Sequence, residues 1–402
     1  MKILMVSEDL PGEQIGGLGK HVVTLSNALL ARGHEVAILG RSFSGAAADG
    51  SARQIGFNGR FIPGFDFAHP GWKETQLGVF NPLKRPWFAR KIARAIATHA
   101  AGFDVVHYHG HLPMVALHVD RALNFIQTRH DQGSECITHL RFRDGVVCAA
   151  ASARACAGCI HPAPGPLREH VSALAVTRYR RDAAEAFRRH KTIFVSDFLR
   201  RQFLRQIPGA DLARSRVIHN FVDYSMLANC AQAPRAGQVL LAGRIDAGKG
   251  FGEFLAAARG RMPPDARLLV VGDGAERAAL EERYASRQVR FLGWRPHREV
   301  LALTARSHVC VVPSRWEEPC GTTVLEALAL GRPCVALARG GTPELAAYQL
   351  HAGQLQLGGS MDRLVAMLCE RLARPPAAQP LPPAAALDVI HAVPKILDYY
   401  AE

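Results

Sequence analysis

The sequence predicts an α/β protein built of two doubly wound domains that face each other across a cleft. Three observations lead there. Strand-like and helix-like segments alternate along nearly all of the 402 residues. The strands of the second half are continuous apolar runs, such as Leu268-Leu269-Val270-Val271. The length suffices for two separate cores. Strict alternation calls for crossover helices and hence parallel sheets. A parallel sheet is covered on both faces, so its strands read as unbroken apolar runs.

Residues 2–7 open as a strand, 19–32 follow as an amphipathic helix, and 35–39 read as the next strand. Residues 104–108 and 124–128 are further apolar runs of strand length. In the second half, strands at 238–243, 267–272, 289–293, 308–314 and 333–337 alternate with helices beginning near Phe251, Ala275, His297 and Thr322. The break falls after Phe194-Val195-Ser196 and the helix behind it, before a loop marked by Pro234 and Gly237. The expected domains are residues 1–207, with a cysteine-bearing insertion at 132–165, and 208–380. A Pro/Ala-rich stretch at 375–386 leads to a last helix within 381–402, which ends in Tyr399-Tyr400 and is placed to cross back to the first domain.

Composition narrows the class. With 48% hydrophobic and 21% charged residues, the chain reads as soluble and globular. No run approaches the ~18 apolar residues of a membrane-spanning helix. The opening strand meets Glu8 and Asp9 at once, too short and too acidic for a signal peptide. A cytoplasmic location is expected, with peripheral contact at the inner membrane face as an option. The formal charge of +14 suits a polyanionic partner, although a basic composition alone accounts for it equally well. The densest stretch, residues 178–205, carries nine basic and three acidic residues. No zinc-finger pattern or aromatic RNA-binding motif accompanies it, so nucleic acid is not the expected partner.

Ligands of two facing α/β domains sit beyond the carboxyl ends of the strands, so the loops there carry the chemistry. After the first strand, Gly16-Gly17-Leu18-Gly19 opens a helix whose N-terminus favours an anion; a simple tight turn reads equally well. Beyond 238–242 come Gly243-Arg244 and Lys249-Gly250, two cations at one strand end that could clamp a diphosphate. The most informative segment runs from Pro313 to Ala327. Glu318 lies in a loop and Glu326 in the following helix. Gly321, Thr322 and Thr323 between them offer unpaired N–H groups at that helix start. A phosphate seat with a carboxylate on each side suits a molecule with hydroxyls at both ends: a sugar for Glu318, a ribose for Glu326.

The ordered set of motifs resembles the retaining glycosyltransferases of the glycosyltransferase-B fold, family 4. The matching residues are Gly16-Gly17, Asp104-Val105-Val106-His107-Tyr108-His109, Val217-Ile218-His219-Asn220, Gly243-Arg244 with Lys249-Gly250, Val271-Gly272-Asp273-Gly274, Pro313-Ser314, Glu318-x7-Glu326 and Gly340-Gly341-Thr342-Pro343-Glu344. The resemblance implies two Rossmann-like domains. The C-terminal one would hold a UDP- or GDP-sugar donor, and the N-terminal one a glycan or lipid-linked acceptor. It further implies that Arg244 and Lys249 offset the leaving diphosphate, with a contribution from the Gly17 N–H. Glu318 would meet the donor hexose, Glu326 the ribose, and His109, in preference to His107, the transferring sugar. His130 and Asp131 would stand on the acceptor side.

No Asp-x-Asp motif occurs, so no catalytic metal or other catalytic cofactor is expected. Departures are also visible. Cys320 replaces the family's usual phenylalanine, and His219 stands where a proline is usual. Gln14 replaces the lysine that glucan synthases place two positions before the paired glycines, which argues against a glycogen or starch synthase. The expected role is hexose transfer in cell-surface polysaccharide or lipopolysaccharide synthesis. A sucrose- or trehalose-type synthase with a soluble acceptor is the rival enzyme, and a non-catalytic nucleotide-sugar-binding subunit the rival of another class.

Four of the nine cysteines cluster: Cys136, Cys148, Cys156 and Cys159. A Cys-x2-Cys with two further thiols nearby reads as a structural zinc site; unligated thiols and redox disulfides are the alternatives.

Overall fold

The computed structural model describes residues 1–11, 16–42, 48–66, 85–159, 165–376 and 386–402. The chain divides into two units. Unit 1 comprises Met1–Arg141, Cys148–His219 and Ala392–Glu402; unit 2 comprises Phe142–Val147 and Asn220–His391.

Unit 1 holds a seven-stranded sheet. Its strands are β1 (Lys2–Ser7), β2 (Glu35–Arg41), β3 (Arg60–Phe65), β4 (Val105–His109) and β5 (Phe125–Arg129). A short hairpin, β6 (Phe142–Arg143) and β7 (Val146–Val147), intervenes and groups with unit 2 before β8 (Lys191–Phe194) and β9 (Ser215–Val217) complete the sheet. The order is β3-β2-β1-β4-β5-β8-β9, all parallel. The order reverses between β1 and β4, where an open α/β sheet leaves a crevice for ligand. Ser7 pairs with His109 there, so the chain leaving β1 and the histidines of β4 share one strand end.

Unit 2 repeats the plan with β10 (Gln238–Ala242), β11 (Arg267–Val271), β12 (Val289–Gly293), β13 (Val309–Val312), β14 (Cys334–Leu337) and β15 (Leu355–Gly358). Their order is β12-β11-β10-β13-β14-β15, again parallel, with the reversal between β10 and β13. The cores are what the apolar runs demand. Leu4, Val6, Val106 and Tyr108 pack under the helix Arg85–His99 in unit 1; Leu241, Val270, Val311 and Val335 pack with Phe254 and Leu364 in unit 2.

Besides the short hairpin, β3, β9 and β15 fell outside the sequence expectation for physical reasons. β3 contains Pro63 and Gly64, which are poor strand formers but are tolerated on the edge strand that it is. β15 is likewise a short edge. β9 lies beyond the expected break at 207, yet it pairs with β8 and so belongs to the sheet of unit 1. The final helix, Val389–Ala401, contributes its last residues to unit 1. There Tyr400 Oη bonds His107 Nδ1 at 2.6 Å, and the Tyr400 carbonyl accepts from Asn124 and Lys191.

Candidate active site

In unit 2 the loops beyond β10 and β13 converge on Glu318. Asp246 caps the turn Ala247–Lys249 by accepting from the Lys249 N–H at 3.1 Å, and it pairs with the Arg244 guanidinium. Gly250 follows with φ +70, and a Cβ there would lie 2.2 Å from the Pro313 carbonyl, so only glycine lets this turn close against the end of β13. The Lys249 ammonium meets Glu318 Oε1 and lies 5.1 Å from the Trp316 ring centroid. Ser314 Oγ at 2.7 Å and Trp316 Nε1 at 3.0 Å donate to the same carboxylate oxygen. Burial alone would raise the Glu318 carboxyl, but Lys249 and these two donors hold it below the usual carboxylate range. Gly340, at φ +59, passes the Glu318 backbone so closely that a Cβ would sit 2.3 Å from the Glu318 carbonyl, which accepts from the Gly341 N–H at 2.7 Å.

The helix Thr322–Ala329 starts at Gly321 with no side-chain cap, so the early N–H groups around Thr322 and Thr323 remain available to an anion. One turn further, Glu326 Oε1 lies 2.6 Å from His297 Nε2, at the start of the helix His297–Arg306. Unit 2 thus brings together Arg244, Lys249, Glu318, Gly321, Thr322, Thr323 and Glu326. It adds Ser314, Trp316 and His297, to which the sequence assigned no role in the site. The first two lie in a motif that was read; His297 carried no local signal.

In unit 1, His109 is fully buried at the end of β4, with Nδ1 3.0 Å from His130 Nε2. Its Nε2 has no hydrogen-bond partner. His107, two residues earlier, has both nitrogens engaged, by Tyr400 Oη at 2.6 Å and Thr128 Oγ1 at 2.7 Å. That difference separates the two histidines, whose positions in the sequence could not. Burial, reinforced by neighbouring histidines, lowers His109 and His130 well below the usual imidazole range. Asp131 turns to the other side. Its Oδ2 lies 2.5 Å from His111 Nδ1 and 3.1 Å from His139 Nδ1, while Oδ1 accepts from the Gly133 N–H at 2.7 Å. Burial opposes the Asp131 charge, but the two imidazoles hold the carboxyl well down. Burial likewise opposes the His111 proton, but Asp131 and Asp9 hold it on well above the usual range. Gly17 begins the helix Gly17–Ala31; Gln14 lies outside the described residues.

The four thiols are not drawn into one shell. Among the described residues, groups of three or more ligand-type side chains with donor atoms within 4.8 Å of one another are His21/His109/His130 and His111/Asp131/His139. Cys136 and Cys148 lie close enough to add to the rise that burial imposes on the Cys156 thiol, and Arg180 Nη2 donates to Cys156 Sγ at 3.2 Å. Four-coordinate zinc would need these side chains to turn. Metal content decides: the spacing predicts about one equivalent of zinc, released by Cys159→Ser. Metal-free protein of full activity leaves the cluster as ordinary thiols.

Comparison with known proteins now bears on these geometries. The family description "Glycosyltransferase Family 4" matches residues 15–225, and "Glycosyl transferases group 1" matches residues 236–372. The chain is also 30% identical over 371 residues to a glycogen synthase of Mycobacterium tuberculosis, covering 86% of this chain and 80% of that one. The chain is a family 4 glycosyltransferase. Among solved structures, the glycosyltransferase resembles Anabaena HepE in complex with UDP and glucose, with TM-score 0.65, 18% identity and full coverage of both chains. It also resembles a sucrose-phosphate synthase of Thermosynechococcus elongatus, with TM-score 0.64 and 20% identity over 100% of this chain and 95% of that one. Both likenesses are of fold, and that fold is glycosyltransferase-B.

Proposed function

We propose that the protein transfers a hexose, with retention of anomeric configuration and without a catalytic metal, from a UDP- or GDP-sugar to a glycan or glycolipid acceptor of the cell surface. The observation that carries the donor half is the Lys249–Glu318 pair at one strand end of unit 2, between Arg244 and the uncapped helix start at Gly321. When the bond from the anomeric carbon to the diphosphate breaks, its electron pair leaves with the diphosphate oxygen. Lys249, Arg244 and the N–H groups of Thr322 and Thr323 are fixed charges and dipoles suited to that growing charge. Glu318 is already ionised and oriented by Ser314 and Trp316, as a hydroxyl-accepting group for the hexose should be. Glu326 plays the matching part for the ribose, steadied by His297. On unit 1, His109 offers its free Nε2 to the transferring sugar, and His130 with Asp131 forms the acceptor side.

A soluble glucan acceptor is the second reading, favoured by the 30% identity to a glycogen synthase. A panel of nucleotide sugars, scored by nucleotide released with a lipid-linked acceptor, with glycogen or with neither, separates the readings. Stimulation by glycogen alone supports the second. Binding without release under any condition supports a non-catalytic subunit.

Replacing Glu326 with Ala should weaken donor binding about 10- to 100-fold. A hydrogen bond to a charged group is worth ~1.5–3 kcal/mol. Calorimetric titration with the donor measures it, and unchanged affinity would remove Glu326 from the site.

No helix among the described residues is long and apolar enough to cross a membrane. Peripheral contact is proposed through the arginines of the helix Pro166–Arg189. The structure corrects their number: Arg180 is buried, with Nε donating to the Glu135 carbonyl at 3.1 Å, whereas Arg178, Arg181, Arg188 and Arg189 reach solvent. Even these lie beside Asp182 and Glu185, which trims the field. Binding to anionic vesicles should fall steeply with salt, as screening within ~8 Å requires. Changing Arg181, Arg188 and Arg189 to Gln should lower it while sparing donor hydrolysis. Salt-independent binding would contradict this.

A further inference from the structure

Three imidazoles of unit 1 meet where the transfer reaction calls for one. His21 stands on the helix Gly17–Ala31, His109 ends β4, and His130 follows β5, so three separate elements each deliver a ring. Their ligand nitrogens lie within 4.8 Å of one another. The His21 ring centroid is 5.4 Å from that of His109 and 4.7 Å from that of His130, and the two strand-borne rings approach to 3.0 Å between Nδ1 and Nε2. Paired parallel strands fix that approach, because β4 and β5 are neighbours in register. His109 is fully buried, and its Nε2 has no partner, a costly state for a ring atom away from water.

The chemistry of this donor set is selective. Magnesium and calcium prefer oxygen ligands, and this group contains none. Three neutral imidazoles suit divalent transition ions of borderline softness, and a three-histidine set leaves a further coordination position open. We propose that His21, His109 and His130 form a binding site for such an ion, with zinc, cobalt and nickel as its class. One consequence rests on the proposed role of His109: an ion held there takes the histidine away from the sugar, so occupancy inhibits transfer and chelation restores it.

The test uses the purified 402-residue Cys159→Ser protein after chelator treatment, so that the cysteines do not compete for the ion, titrated with cobalt(II). The expected result is a visible d–d absorption that saturates at about one equivalent, with no ultraviolet thiolate-to-cobalt band, which keeps the cysteines out of the signal. His21→Gln and His130→Gln should each weaken cobalt binding at least about tenfold, each variant first shown to be folded by circular dichroism. His34→Gln should not change it. A missing d–d band, a band accompanied by thiolate charge transfer, or affinity unchanged in both folded variants would overturn the site. Zinc is then added to the nucleotide-release assay. Inhibition reversed by chelator supports the whole inference. Binding without inhibition supports the site and overturns only the placement of the sugar against His109.

Discussion

Lys249→Ala is expected to lower turnover by about 10²–10³-fold, the loss that follows removal of one preorganised group facing developing charge. Position sets the size of the effect. Lys249 is fixed by the Asp246-capped turn and by the closure at Gly250, and it stands against Glu318 and the Trp316 ring. In the proposed reaction the charge it offsets grows as the diphosphate leaves, so kcat should fall more than KM rises. A second effect follows from burial. Without the ammonium, Glu318 keeps only Ser314 and Trp316, and its buried carboxylate takes up a proton more readily. The Lys249→Arg variant should recover part of the loss, whereas wild-type turnover in Lys249→Ala would contradict the assignment.

Acid should destabilise unit 1 well above the pH at which carboxylates titrate. Burial first, and then neighbouring His21, lowers the His107 pKa to about 3. The folded ring is therefore neutral while the unfolded one takes up a proton below pH ~6.5, so unfolding binds protons and stability is lost as pH falls. From pH 7 to pH 5 the loss from His107 alone is about 2 kcal/mol, as the unfolded ring passes from about a quarter to almost fully protonated at 1.36 kcal/mol per proton and pH unit. His109 and His130 are lowered as well and act with the same sign. His111 opposes them. Its raised pKa gives stability that is fully present below the unfolded pKa and lost as pH rises through the folded one. Asp131, held low, loses its contribution only below the ordinary carboxylate range. Denaturant midpoints at pH 7 and pH 5 measure the net slope, and His107→Gln should flatten it. A midpoint equal at both pH values would contradict this account.

The two sheets were legible because buried parallel strands leave a continuous apolar signature, as Leu268–Val271 shows. β3 and β15 lack that signature, which Pro63 and Gly64 interrupt in the first and Gln356 in the second. At the site, Glu318 and Glu326 could be paired because one loop and one helix turn separate them in sequence. His297 could not be paired with Glu326, nor Tyr400 with His107: those contacts join positions 29 and 293 residues apart, and no local pattern encodes them. His21 had a usable signal in its position four residues after Gly17 on the same helix. Arg180 was equally illegible. The sequence counted it only as one of nine basic residues at 178–205, but helical spacing turns this one inward to the Glu135 and Ala151 carbonyls and the Cys156 sulfur.

The central claim is that side chains of unit 2 hold a nucleotide diphosphate sugar without a metal. Calorimetric titration of the full-length protein with UDP- and GDP-sugars in the presence of a chelator tests it most directly. Saturable binding of one donor is predicted, weakened by both Lys249→Ala and Glu326→Ala. Binding that appears only on adding a divalent ion, or that both variants leave unchanged, would contradict it.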